Sequence, residues 1–341
     1  MVRPPASADR AATAVAPAAV AAAALPRLAW RWAGPAMAAL AVVLTAVSNG
    51  YGFERDELYF RMLPPAWGYA DQGPLTPLLA GLAARLSGSP WAERVPATAF
   101  AVLSVLVLVL ITREIGGGSA AQGLCAWGYA FAAVPLVFGH VLLTASADIV
   151  VWPLACLFAI RAVRRGQPRW WLAAGLVAGL STYNKLLIVL LAAAVVAGLL
   201  ITGPRRALAN RWFALAVVLA VAVALPNLVY QTAHGWPELA EGRALRADNA
   251  AMVRVLMWPY LIILLGPALT PVWVAGLAAL WRRPQWRALR FLPAAFAVLL
   301  AETFAAGGQL YYPMGLLTVI YAAGCVPAAD FLARSRPWRL A

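Results

Sequence analysis

Charged residues are scarce in this chain of 341 residues, and acidic residues are scarcer still. Only 12% of the residues are charged, with 13 acidic residues against 27 lysines and arginines, whereas 63% are hydrophobic. A chain with so few polar side chains cannot cover the surface of a water-soluble domain. The composition therefore excludes an ordinary soluble protein and predicts one that folds in a lipid bilayer.

Cysteine and histidine are also rare. The three cysteines, Cys125, Cys156 and Cys325, all lie inside apolar segments without CxxC spacing, so we interpret them as packing residues rather than metal or redox groups. His234 has no second histidine or cysteine near it in the sequence, which favours a loop residue over a metal ligand.

The net charge of +14 does not indicate a nucleic-acid-binding protein. The basic residues separate apolar segments and form no continuous patch, which is typical of the cytoplasmic flanks of membrane spans. We therefore expect the lipid bilayer, and no nucleic acid, as a partner.

The chain contains about ten apolar segments that are long enough, or nearly so, to cross a membrane. They predict an all-α, polytopic transmembrane helical bundle. The fifth and sixth segments share almost no loop, so they form either a tight hairpin or a partly re-entrant pair. The segments lie near residues 34–50, 95–112, 119–138, 149–163, 171–184, 186–203, 212–230, 257–281, 290–304 and 312–329.

The basic residues also predict the topology, because they concentrate in alternate loops. We expect a plasma-membrane protein with a disordered cytoplasmic tail (1–30), a membrane domain (31–329) and a basic cytoplasmic tail (330–341). The large loops at 51–94, which we expect to carry short interfacial helices, and at 231–256 then reach the extracytoplasmic face. Nucleotide-activated donors are absent there, so an activated substrate has to arrive on a lipid carrier.

Five motifs occur in a recognisable order along the chain. They are RDELYF (55–60), GYADQGPLTPLLA (68–80), TASAD (144–148), GLSTYNKLLIVLL (179–191) and YYPMGLL (311–317). This order resembles the polyprenyl-phosphate-sugar glycosyltransferases of the GT-C superfamily, in particular glycosyltransferase family 39, which includes protein O-mannosyltransferases and the lipid A aminoarabinose transferase. Many relatives continue past the last motif, so we expect the acceptor-selecting part to be reduced here.

The resemblance implies transfer of a sugar from a polyprenyl phosphate carrier to an extracytoplasmic protein, lipid or envelope glycan, with inversion at the anomeric carbon. It places Asp56 as the general base that takes the acceptor's proton. Glu57 is the second candidate catalytic carboxylate, and the pair could hold a divalent cation such as Mg²⁺ or Mn²⁺. The alternative is that both acids cap the short helix starting at Leu58.

Other residues are candidates for substrate binding. Asp71 and Gln72 either contact substrate or belong to a turn between glycines. Asp148 would be costly facing lipid, although capping of a helix explains part of its presence. The only lysine, Lys185, either binds the donor phosphate or reaches toward lipid headgroups.

Two further pairs complete the predicted site. Arg243 and Arg246 share one helical face and bind either a phosphate or anionic lipid. Tyr311 and Tyr312 either line the donor site or belong to the aromatic belt of the membrane interface. A multispan transporter and a non-catalytic protein that binds polyprenyl phosphate remain alternatives, although no inverted repeat is visible between the halves of the chain.

Overall fold

A computed structural model describes residues 25–335, and within that range the regular structure is entirely helical. The predicted N-terminal tail lies outside the described residues as far as residue 24, and the predicted C-terminal tail lies outside them from residue 336. The helices are α1 (Trp30–Val47), α2 (Arg55–Met62), α3 (Leu75–Leu86), α4 (Pro90–Glu114), α5 (Ser119–Ala130), α6 (Ala133–Phe138), α7 (Thr144–Arg164), α8 (Trp170–Ser181), α9 (Ile188–Ile201), α10 (Arg211–Ala233), α11 (Pro237–Leu265), α12 (Thr270–Arg282), α13 (Phe291–Ala306) and α14 (Met314–Arg334).

Seven helical segments in the described range are long and apolar enough to cross a membrane. Six are α1, α4, α7, α10, α11 and α14, and the seventh joins α13 to the 3-10 turn before it. Helices α3, α8 and α9 are shorter and also apolar. The prediction of an all-α polytopic membrane protein is therefore confirmed.

Three predicted boundaries differ from the structure. The apolar segment 257–281 is divided at Gly266, whose φ of 89° and the Pro267 that follows end α11. The segment 119–138 is divided between α5 and α6. The predicted loop after residue 231 is helical from Pro237 onward, because α11 begins there and continues without a break into apolar sequence.

The connecting segments collect at two opposite ends of the bundle. At one end, Arg113 donates to the carbonyl of Pro26 and Trp286 donates to the carbonyl of Ile115, which brings the basic connections together. We call this the basic end. The opposite end, which we call the loop end, contains residues 48–89, 139–143, 182–187, 234–236 and 307–313. The N–H of Gly73 donates to the carbonyl of Asn184, and Gly307 packs against the backbone of Arg246, which brings these segments together.

Helices α8 and α9 are short, and the turn between them lies below the rim of the loop end. The side chain of Asn227 donates to the carbonyl of Thr182 over 2.7 Å. Asn227 precedes the end of α10 at Ala233 by about 9 Å along the helix axis, at 1.5 Å per residue. We call residues 182–187 the recessed segment. Its depth brings polar backbone and side chains inside the bundle, where they need protein partners.

Helices α12 and α14 pack closely through glycine. A Cβ atom added at Gly324 would overlap the carbonyl oxygen of Val272, and one at Gly276 would overlap that of Ile320. We therefore expect Gly324→Val to lower the free energy of unfolding by about 1–3 kcal/mol, because overpacking forces the two helices apart. Gly81→Val is the control, since a Cβ at Gly81 meets nothing within 4 Å. Denaturant unfolding of the purified protein in detergent measures both, and equal losses would contradict this packing.

Candidate functional site

The first loop is anchored by a buried ion pair. Glu57 and Arg94 are 0% and 1% exposed, and the guanidinium donates to both carboxylate oxygens of Glu57 over 2.9 Å. The carboxylate also accepts from the backbone N–H groups of Glu54 and Leu142. Arg94 in turn donates to the carbonyls of Ser48 and Gly52. Glu57 thus joins α2 to α4 and to the turn before α7.

Asp56 occupies the neighbouring position but faces solvent. Its side chain is 35% exposed, and its one ion pair within residues 25–335 is with the exposed guanidinium of Arg55, over 2.9 Å. The N–H of Asp56 donates to the side chain of Glu54, which caps α2 together with Glu57. The helix thus begins at Arg55 rather than Leu58, and its cap is Glu54 with Glu57, so the expected capping by the side chain of Asp56 is wrong. The carboxylate of Asp56 remains accessible to a substrate.

Asp148 and the tyrosine pair lie together in a narrow cleft at the loop end. The cleft is lined by Asp148, Trp152 and Leu187, and on its other side by Tyr311, Tyr312 and Met314. Asp148 is only 4% exposed, and Tyr312 only 6%. The structure thus brings together residues that are separated by more than 160 positions in the sequence.

The electrostatics of the tyrosines link this cleft to Asp56. Burial, and after it the carboxylates of Asp148 and Glu241, raise the pKa of Tyr312 to about 12. Burial is also the main cause of the raised pKa of Tyr311, to which Tyr312, Asp148 and Asp56 add. The carboxylates of Asp148 and Asp56 therefore both lie close enough to Tyr311 to raise its pKa through their charge. Because their pKa values are raised, Tyr311 and Tyr312 are neutral hydrogen-bond donors at physiological pH.

Asn184 is a site residue that the sequence interpretation missed. Its amide nitrogen donates to the carbonyl of Thr144 over 2.8 Å and to the carboxylate of Asp148 over 3.1 Å. Its amide oxygen accepts from the hydroxyl of Thr76 over 2.9 Å. The only sequence signal was a run of polar residues, Ser181–Lys185, between two apolar segments.

Lys185 lies next to Asn184 in the recessed segment and is partly buried. Its charge acts on the carboxylates of Asp148 and Glu238, yet it has no salt bridge within 4.0 Å in residues 25–335. Glu238 is a second residue missed from the sequence. Its carboxylate accepts from the N–H of Leu186 and from the side chain of Gln231, both over 2.9 Å.

Asp71 and Gln72 stand at the turn before α3. Asp71 accepts a hydrogen bond from Tyr59 over 3.0 Å, and burial, together with this carboxylate, raises the pKa of Tyr59 to about 12. Gln72 is 2% exposed, and its amide nitrogen has no partner within the described residues. The turn docks onto the recessed segment, where the N–H of Gly73 donates to the carbonyl of Asn184. A side chain at Gly73 would overlap the carbonyl of Tyr183.

Arg243 and Arg246 lie on α11, and both are exposed. The backbone of Arg246 packs against Gly307, just before the tyrosine pair. Neither arginine has an ion pair within 4.0 Å in the described part of the chain. The structure places them at the loop end, outside the cleft that contains Asp148.

The residues predicted to hold a divalent cation have an unfavourable donor set. Both oxygens of Glu57 already accept hydrogen bonds from Arg94, and one oxygen of Asp56 is paired with Arg55. Residues 25–335 contain no group of three or more histidine, cysteine, aspartate or glutamate side chains that could hold a metal ion. The metal site stays a prediction.

An apolar cleft lies among α7, α8, α9 and α10. Its volume is about 170 Å³, and alanines such as Ala155, Ala178 and Ala192 make its walls. Trp171 lies at one end, toward the basic end. Ile188, which also lines it, follows the recessed segment directly. A cleft of this chemistry suits a hydrocarbon, because it offers essentially no hydrogen-bonding group.

The fold and the site define a polytopic helical membrane protein with a narrow crevice around Asp148 at one end and an apolar cleft beneath it. Residues 71–230 match the model of the dolichyl-phosphate-mannose-protein mannosyltransferase family. The match confirms the resemblance to GT-C glycosyltransferases of family 39 and indicates a membrane glycosyltransferase of the mannosyltransferase type. No curated protein matches the chain.

Proposed function

We propose that this membrane glycosyltransferase moves a sugar from a polyprenyl phosphate carrier to an extracytoplasmic acceptor, with inversion at the anomeric carbon. The observation that carries the proposal is that the recessed segment adjoins both clefts: Leu187 lines the cleft that contains Asp148, Ile188 lines the apolar cleft, and the cation Lys185 precedes them by two and three residues. A polyprenyl phosphate sugar has the same order of parts: a sugar, a phosphate and a hydrocarbon chain. The loop end would then face the outside of the plasma membrane, because the opposite end is rich in arginine.

Asp56 is the proposed general base because it combines accessibility with proximity to the cleft. In the transfer step, its carboxylate takes a proton from the acceptor hydroxyl or amine while that group attacks the anomeric carbon. The bond from this carbon to the phosphate oxygen breaks, and its electron pair stays on the phosphate. Direct attack from the face opposite the phosphate inverts the configuration. Glu57 cannot share this role while Arg94 occupies both its oxygens, so it positions α2.

Lys185 and Asp148 are the proposed groups for the donor. The ammonium of Lys185 would pair with the phosphate and stabilise the charge that develops when the sugar leaves. Asp148 accepts from Asn184 through one carboxylate oxygen, and we propose that it also accepts from a sugar hydroxyl. Tyr311 and Tyr312 line the same cleft and would donate to the sugar or the phosphate.

The hydrocarbon chain of the donor is assigned to the apolar cleft. A cavity of about 150 Å³ holds a molecule of the size of benzene, so this cleft suits roughly one or two isoprene units. The rest of the chain would continue along the lipid-facing surface. The exposed outer face of α10 leaves that route open.

Filling the apolar cleft tests the assignment. We expect Ala192→Phe and Ala178→Phe to raise KM for a long-chain polyprenyl phosphate sugar about tenfold, because losing contact with about two methylene-sized groups costs about 1.6 kcal/mol. KM for a sugar phosphate whose phosphate carries only a methyl group should not change, because it has no isoprene unit to place in the cleft. Ala193→Phe is the matched control, since Ala193 is exposed and does not line the cleft.

Transfer assays with both donors distinguish the possible outcomes. Equal effects on both donors, or an equal effect of Ala193→Phe, would contradict the placement of the chain. No transfer from either donor by the native protein would contradict the transferase itself.

A further inference from the structure

We propose that Asn184 is a positioning residue: it fixes the recessed segment relative to α7, so that Lys185 and Asp148 are both placed to act on a bound lipid phosphate. The inference rests on the proposed phosphate-binding role of Lys185 and adds a residue that this role requires. Asn184 is 1% exposed and therefore acts through its neighbours rather than through direct contact with bulk solvent or ligand.

The hydrogen bonds of Asn184 determine the orientation of its amide. The carbonyl of Thr144 can only accept, so the group that contacts it has to be the NH₂. The second hydrogen of that NH₂ is then directed at Asp148, and the amide oxygen is left to accept from Thr76. One side chain thus ties the recessed segment to α7 and to α3.

The backbone on both sides of Lys185 is anchored as well. The carbonyl of Asn184 accepts from the N–H of Gly73 over 3.1 Å, and the N–H of Leu186 donates to Glu238 over 2.9 Å. The N–H of Lys185 itself donates to the carbonyl of Ser181 over 3.0 Å. Because the backbone is anchored on both sides, only the side-chain torsions of Lys185 can vary. The ammonium group can therefore reach a limited set of positions.

Loss of the Asn184 side chain removes this constraint. Three buried polar groups, on Thr76, Thr144 and Asp148, lose their partner at once, and the segment can relax to satisfy them. Lys185 would then spend less time near the position of the phosphate. A purely structural asparagine would instead affect stability and leave phosphate affinity unchanged.

The test is a double-mutant cycle on binding of farnesyl phosphate to the purified full-length protein in detergent, measured by calorimetry. We expect Lys185→Gln and Asn184→Ala each to weaken binding about tenfold, as for loss of a hydrogen bond to a charged group. If Asn184 acts through Lys185, the double variant binds no more than about twofold more weakly than Lys185→Gln alone. Additive losses, or unchanged binding by Asn184→Ala, would overturn the inference.

Two further variants keep the test decisive. Asn184→Asp has the same shape and retains the acceptor for Thr76 but loses the donor to Asp148, so we expect it to bind at least as weakly as Asn184→Ala. If Asn184→Ala does not fold, this variant takes its place in the cycle. Asn210→Ala is the matched control at the basic end, where Asn210 caps α10, and its affinity should equal that of the native protein.

Failure of this inference is distinguishable from failure of the proposed function. Native protein that does not bind farnesyl phosphate overturns the inference together with the phosphate role of Lys185. Binding that depends on Asn184, without sugar transfer from any donor, supports the inference and counts only against the transferase activity.

Discussion

Asp56→Asn is expected to lower kcat for sugar transfer by about 10²–10⁴-fold, the usual contribution of a positioned general base. The amide has nearly the same shape as the carboxylate but cannot take the proton of the acceptor. Because Asp56 is 35% exposed and paired with an exposed arginine, the fold should be unaffected. Donor binding should also be retained, since the proposed phosphate contact is made by Lys185. Steady-state transfer kinetics and donor titration measure the two effects separately.

Asp248→Asn is the matched control for this result. Asp248 is another exposed acid at the loop end, on α11, and has no ion pair within the described residues. We expect it to retain native kcat. If Asp56→Asn also keeps kcat within a few-fold of the native value, another group takes the proton and the assignment of the base is wrong.

Arg94→Met is expected to cause a large loss of stability. It leaves the carboxylate of Glu57 buried without a counter-charge, and such a loss costs about 3–5 kcal/mol. The free energy of unfolding in detergent, measured by denaturant titration, tests this value. The double variant Arg94→Met, Glu57→Gln should recover part of the loss, because it no longer buries an isolated charge.

Arg283→Met provides the comparison for an exposed pair. Arg283 pairs with Asp330 over 2.8 Å at the basic end, where both side chains contact solvent. Such pairs contribute about 0–1 kcal/mol, so the change should be small. A loss from Arg94→Met no greater than that from Arg283→Met would show that the buried pair does not anchor the first loop.

The membrane spans could be predicted from sequence because hydrophobic length is a local property. A stretch such as 95–112 is apolar enough to be recognised without knowledge of its neighbours, and α4 contains it. The interruption at Gly266 was less visible, since one glycine and one proline within an apolar run are tolerated in many membrane helices. The helical start of α11 was missed because its first turns are polar.

The two neighbouring acids show what local sequence cannot separate. Asp56 and Glu57 are adjacent acids that the sequence does not distinguish. Arg94, which lies 37 residues from Glu57 and pairs with it, makes Glu57 the buried carboxylate and leaves Asp56 exposed. Asn184 was missed for the same reason, because its partners Thr76 and Asp148 are 108 and 36 residues away. Asp148 and Tyr311 meet because their two segments reach the same end of the bundle, which depends on the topology of the whole chain rather than on either motif.

Sugar transfer from a lipid phosphate by this protein can be tested directly in one assay. Proteoliposomes containing the native protein, or Asp56→Asn, are supplied with a panel of radiolabelled polyprenyl phosphate sugars, and both transferred label and released polyprenyl phosphate are measured. We predict that the native protein transfers or releases label from at least one donor and that the variant does not. Tight binding of polyprenyl phosphate without turnover of any donor would contradict the account and favour a non-catalytic lipid-phosphate-binding protein.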